Sequence, residues 1–401
     1  MPPLSERRRS NYDKIPFIPI GSAEDCAVGW AEVTRTLATH HKIGVLCIEC
    51  YPGVFLDEVE EALREQLKPD ILIRADTSYK SPNEIEVMLR PVLGEDRVFA
   101  RMNGLQIVDY FDPVLLDRQQ RAVREAQGLV VVFGTGAALI APHADTLVYA
   151  DLARWEIQLR WRKKSLPNLG LENHTDGIAP KYKCGYFVEW RAADRLKKLL
   201  LSRSDFLLDT NAPDSPKLIR GDDFRRALHV AAHRPFRVVP YFDPGPWGGH
   251  WMEEVCDLPR DVPNHAWCFD CVPEENSLLL GFGDHRVEIP AIDVVFAEPR
   301  ALLGDSVHGR FGTEFPIRFD LLDTMGGGNL SLQVHPLTEY IQDKFGMAYT
   351  QDESYYMLDA GEDACVYLGI KEDANPDSLL RELRTAQSGG QSFPADTFVN
   401  V

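Results

Sequence analysis

The chain has 401 residues, 44% of them hydrophobic, and a formal net charge of −18. That is the composition of a folded globular protein with room for two or three domains. The acidic balance argues against a nucleic-acid or anionic-membrane surface but leaves room for a local basic pocket. No run approaches the ~18–20 apolar residues of a membrane span.

Residues 1–38 read as an arm leading into a helix over 23–37. The arm carries basic residues with no apolar stretch behind them, so no secretory signal is read. The eight cysteines have the spacing of cytoplasmic thiols rather than of a disulfide framework, and a cytoplasmic protein is expected. The pairs Cys47/Cys50 and Cys268/Cys271 are too far apart for a four-cysteine zinc site and read as buried thiols.

Residues 42–49 (KIGVLCIE) form a buried-strand candidate, followed by a turn at Tyr51-Pro52-Gly53-Val54 and a patterned helix over 57–67. A second strand over 71–76 ends in an acid, and 81–93 reads as helix until Pro91 interferes. A helix over 115–125 precedes the buried strand 128–134 (GLVVVFG). A short strand follows at 147–150 and an Arg- and Trp-rich helix at 154–162. This alternation predicts a three-layer α/β domain with a largely parallel sheet over 39–210. Gly134-x-Gly136 either holds an anion or is only a tight turn. The loop 163–183 carries His174 and Asp176, and 190–201 reads as a charged helix face. The break at Asn211-Ala212-Pro213-Asp214-Ser215-Pro216 places a boundary near 210, with a connector to 235.

From 236 the character is β, with strands expected over 236–241, 266–272, 276–282, 286–289 and 292–296. Leu330-Ser331-Leu332-Gln333-Val334-His335-Pro336 alternates apolar and polar residues, the pattern of a half-buried strand. Gln333 and His335 then share a face, about 6.6 Å apart. Glu353 precedes a further strand candidate at 354–358. An amide oxygen, an imidazole and a carboxylate suit a borderline divalent ion such as zinc. Spacing alone equally describes polar residues satisfied within a strand.

The segment 330–336 resembles the L-S-x-Q-x-H-P strand of class I mannose-6-phosphate isomerases, zinc enzymes of the cupin fold. Glu353-Ser354-Tyr355-Tyr356-Met357-Leu358 resembles the family's E-x-W-Y-x-L. Trp247-Gly248-Gly249, Ala301-Leu302-Leu303-Gly304 and the stretch from Phe315 to Asp323 match further landmarks in order. The resemblance covers about 236–370 and implies an all-β cupin jelly roll over 236–401. It implies Gln333, His335 and Glu353 as zinc ligands and Ser331 as a substrate contact. The expected reaction interconverts mannose 6-phosphate and fructose 6-phosphate through an enediol, with a homo-oligomer as the expected assembly. Three departures stand out. Gln351 occupies the place of a phosphate-binding Lys, with Arg318 and Lys344 as substitutes; no His follows Glu353 to act as fourth ligand; and the family's later catalytic Arg is absent. The chain is therefore expected to end inside the cupin domain.

Residues 40–205 resemble the uridine-kinase-like P-loop domains in their strand order. The phosphate loop G-x-x-x-x-G-K-[ST] is reduced to Gly53, without the Lys and Ser/Thr that neutralise phosphates and bind Mg²⁺. The alternatives to an isomerase are a non-catalytic sugar-binding cupin and a nucleotide-dependent kinase.

Overall fold

The structure is a computed structural model that describes residues 9–40, 43–389 and 391–401. Lys42, at the start of the expected strand 42–49, and residues 1–8 of the arm lie outside the described residues. The chain divides into two compact units, Met1–Gln351 and Asp352–Val401. Among the described residues it is a mixed α/β protein with three sheets, and no helix is long and apolar enough to cross a membrane.

The first unit opens with β1 (Phe17–Gly21), β2 (Cys26–Val28), α1 (Trp30–His40), β3 (Gly44–Cys50), α2 (Leu56–Ala62), β4 (Ile71–Arg74) and α3 (Pro82–Leu93). It continues with α4 (Pro113–Glu125), β5 (Leu129–Gly134), α5 (Ala137–Ile140), β6 (Thr146–Asp151), α6 (Arg154–Arg162), α7 (Ile178–Cys184) and α8 (Trp190–Leu200). Then come β7 (Phe206–Asp209), β8 (Lys217–Arg220) and α9 (Gly221–Ala232).

Seven strands form one sheet in the order β2-β8-β7-β6-β3-β5-β4. Five of them, from β4 through β7, are parallel. Every residue of β5 and β6 is buried, as the near-continuous apolar runs of a covered parallel sheet require. Helix starts follow local chemistry. Ser81 accepts from the Glu84 amide with Pro82 in the first turn of α3, and Asp112 caps α4 through the Val114 and Leu115 amides. Pro91 does not stop α3, which runs on to Leu93. It lies in the last turn, where little helix remains for it to break, and Gly94 at φ 58° ends the helix.

The expected boundary near 210 is corrected. β7 and β8 flank it and pair antiparallel, so 211–216 is the connection within a strand pair and not a linker. β2, from the expected arm, pairs with β8, so the sheet draws strands from all three expected segments. A Pro- and Asp-rich break has the same composition in a turn as between domains.

The rest of the first unit holds β9 (Tyr241–Asp243), α10 (Trp251–Val255), β10 (Trp267–Cys271), β11 (Ser277–Phe282), β12 (His285–Pro290), α11 (Ile292–Ala297), α12 (Pro299–Phe311), β13 (Phe319–Leu322) and α13 (Thr338–Phe345). β1 pairs in parallel with β11, which pairs with β12. β13, β10 and β9 form the third sheet. Leu278, Leu280, Phe282, Val287 and Ile289 join the same core as the large sheet.

The reading of 236–401 as all-β is corrected, since the helices α10 to α13 lie in the first unit's part of it. Residues 292–296, expected as strand, are α11, whose Val294 and Val295 are buried, and 301–304 lie in α12, kinked at Gly304. The β-branched run there meets a helix, α9, rather than a strand, and tertiary packing overrides propensity. The second unit contains α14 (Pro376–Gln387), capped by the Asn375 side chain, and α15 (Ala395–Phe398). Its end is tied by Leu368 donating to Asn400 O and Asn400 donating to Gly369 O.

Candidate functional site

Two places gather the residues that sequence reasoning singled out. The first is the entry to the 330–336 motif. Gly249 N donates to Asp323 O (2.8 Å), His250 N to Met325 O (3.1 Å) and Gly328 N to Trp247 O (3.0 Å). The Asp323 carboxylate accepts from Met252 N (2.8 Å) and Met325 N (2.9 Å). The Trp-Gly-Gly turn is thus stitched to the chain that leaves β13 for the motif. Glycine is required by close approach: a Cβ on Gly249 would stand 2.5 Å from Met325 N, and one on Gly328's neighbour Gly327 would collide with the Trp247 carbonyl. Trp247 is buried, its ring set edge-on against Trp267 at 4.7 Å.

The motif itself is not a strand in the structure. A period-two pattern becomes a strand only through a hydrogen-bonded ladder. Here the segment is held at its ends, by the Gly328 bond and by Thr350 Oγ1 donating to Pro336 O (2.5 Å). Ser331, Gln333 and Val334 are exposed and His335 is half-buried. Glu353 belongs to the second unit, where it is exposed and accepts from Tyr355 Oη (2.6 Å). The expected strand 354–358 is likewise exposed chain outside any strand. Among the described residues, no group of three or more His, Cys, Asp or Glu side chains is arranged to hold a metal. Of the two cations suggested in place of the family's Lys, Arg318 is engaged by Glu274 and Lys344 by Asp343.

The second place is the carboxyl edge of the parallel sheet. The chain leaves β3 for the far strand β4, returns to β5 beside β3, then crosses to β6 on the other side. Ligands of open α/β sheets bind at such a switch point. Here protein groups fill it. Glu49, at the end of β3, accepts from Gly136 N (2.7 Å) and Ala138 N (2.8 Å), so the amides after Gly134 hold a carboxylate of the same chain. Burial outweighs these bonds and pushes Glu49 up to about 7. Gly53, at φ 110°, lies against Ile157, 2.7 Å from where a Cβ would stand. Its carbonyl accepts from Arg160 (2.8 Å), whose guanidinium also donates to Thr210 O and Asn211 O.

Beside this lies a network the sequence did not flag. Arg154 pairs with Asp194 at 2.5 Å, and Tyr51 Oη donates to the same carboxylate (3.0 Å). Lys197 stands 2.6 Å from Asp151 and 2.5 Å from Asp293, all three nearly inaccessible. The helix 190–201, expected as a solvated charged face, therefore turns Asp194 and Lys197 inward. Their i, i+3 spacing on α8 puts both side chains on one face of the helix. His174 stays in an exposed loop, its carbonyl accepting from the buried Lys181 ammonium (2.8 Å). Cys47 and Cys50 are buried, which pushes both thiols up, as ordinary interior thiols.

The fold and these two places define a mixed α/β protein in which the loop after β3 is closed by the chain's own side chains. A family model described as "Domain of unknown function (DUF8485)" matches residues 29–233, half of the chain, and the chain belongs to that family. The matched region holds six of the seven strands of the large sheet, and α9, with β2 lying just before it. No curated protein matches the chain.

Proposed function

We propose that the region from Trp247 onward carries a metal-dependent aldose–ketose isomerase site of the cupin type, acting on mannose 6-phosphate and fructose 6-phosphate. One observation carries this reading. The Trp-Gly-Gly turn, the end of the 315–323 landmark and the entry to the 330–336 motif are joined by backbone hydrogen bonds. Landmarks recognised separately in sequence thus meet in space, immediately before the ligand motif.

The donor set of Gln333, His335 and Glu353 is chemically suited to zinc. A bound ion would stabilise negative charge on the enediol oxygens. Ser331 would contact substrate from the same segment. With Gln351 uncharged and Arg318 and Lys344 engaged by Glu274 and Asp343, no cation is assigned to the phosphate. A non-catalytic sugar-binding role is the outcome if ligand binds without turnover.

The test is metal analysis of the purified chain, with a coupled assay for mannose 6-phosphate isomerisation. About one zinc per chain is expected, reduced by His335→Ala. Absence of zinc, or equal zinc in the variant, refutes the reading.

A second reading concerns the large sheet. Its parallel strands lie in the spatial order second-third-first-fourth-fifth, which supports a P-loop-kinase-like fold for the family domain. The loop after β3 lacks Lys and Ser/Thr, and Arg160 and Ile157 pack against it. The domain on this reading is kinase-like without phosphoryl transfer, and tight Mg²⁺-dependent ATP binding would refute that.

A further inference from the structure

Asp151 ends β6 and Lys197 lies on α8, both inside the family-matched domain. Asp293 lies on α11, beyond it. The three meet with Lys197 at 2.6 Å from Asp151 and 2.5 Å from Asp293, each side chain 1% exposed or less. The Tyr51 and Tyr149 rings flank the ammonium at 5.1 and 5.6 Å. Arg154 is already paired with Asp194, and Lys198, the next residue on α8, sits over the Phe296 ring of α11. Asp151 and Lys197 balance each other. Asp293 thus adds a second carboxylate to a dry site that holds one ammonium, and an uncompensated buried charge is costly enough that a group takes up a proton instead.

We infer that Asp151, Lys197 and Asp293 form a latch that fastens α11 to the family domain, and that closing it binds one proton between the two carboxylates. Burial, reinforced by Asp151 and opposed by Lys197, holds Asp293 well above the ordinary carboxylate range. The two carboxylates outweigh burial at Lys197 and keep it charged. The proton is bound in the folded chain and absent from the unfolded one over the interval between Asp293's two values. The latch is therefore strongest in acid, and its contribution is lost as pH rises through the folded value. The device lets rising pH loosen the segment after β12 from the sheet.

The experiment follows urea unfolding of the full chain between about pH 5 and 9 for wild type and Asp293→Asn. Asparagine keeps the shape and has no proton to lose. The wild-type folding constant is expected to fall up to about tenfold per pH unit more steeply than the variant's, with the variant the more stable at high pH. Parallel curves, or a variant less stable at every pH, overturn the inference. Lys197→Met gives an independent arm. With the ammonium gone, the loss of stability relative to wild type should deepen as pH rises; a loss that is the same at every pH overturns the latch.

Discussion

Gly249→Ala tests whether the stitch between the Trp-Gly-Gly turn and the motif entry holds that region together. The added methyl would lie 2.5 Å from Met325 N and 2.6 Å from Met325 O, and closer still to the Asp323 carboxylate. These atoms cannot yield easily. Asp323 is buried, and its carboxylate is fixed by two backbone amides. Relieving the clash means parting the strands of chain that Gly249 N, His250 N and Gly328 N tie together. Three neutral hydrogen bonds at about 1 kcal/mol each, with overpacking of about 1–3 kcal/mol, give a local cost of about 4–6 kcal/mol. Amide hydrogen exchange reads this directly. Protection at residues 249, 250, 325 and 328 should fall by at least about a hundredfold while β3 and β5 keep theirs, since ~1.4 kcal/mol is a factor of ten. If the Proposed function holds, zinc retention falls with it. Unchanged exchange at those four amides would show that the stitch does not constrain the motif.

The remaining predictions concern the sheet edge. Arg154→Met should cost about 3–5 kcal/mol in urea unfolding by leaving Asp194 buried with only the Tyr51 hydroxyl, and adding Asp194→Asn should recover part of that loss. Glu49, Glu189 and Glu288 are each pushed up to about 7 by burial. Their folded values lie above the ordinary 4.5, so they favour folding in acid and that advantage is lost as pH rises toward about 7. Glu49→Gln should flatten the pH dependence of the melting temperature below neutrality, and a profile identical to wild type would remove Glu49 from this account. Gly53→Ala should lower stability by about 1–3 kcal/mol, because φ 110° and the Ile157 contact both oppose a methyl group.

Much of the large sheet was legible because its strands are buried on both faces. GLVVVFG and KIGVLCIE announce themselves by composition alone, and α6 follows its pattern to the residue. The contributions of β2 and β8 were not legible, because each is three or four residues long and its place is set by a distant partner. The run IDVVF reads as strand from its β-branched residues, yet what it packs against is a helix. At the motif, residue types and order were readable, and so was the presence of landmarks. That Trp247 and Gly249 meet residues 323–328 was not, since nothing local encodes a contact spanning some seventy positions. The buried charges on α8 escaped because Lys and Asp at helical spacing look the same whether they face water or a carboxylate.

The Arg160 guanidinium binds the carbonyl of Gly53 and, through its other arm, those of Thr210 and Asn211. It thereby ties the loop after β3 to the end of β7, two strands away in the sheet. An engineer who installed the lysine and hydroxyl of a phosphate loop at 51–55 would still find the Gly53 carbonyl held by Arg160 and the neighbouring space filled by Ile157 of α6. Opening the loop to a phosphate would need Arg160 replaced at the same time, and its removal would leave three carbonyls in search of donors. Replacing Arg160 alone therefore costs stability before any phosphate-binding group is in place, so this guanidinium, as much as the residues at 51–55, keeps the loop closed.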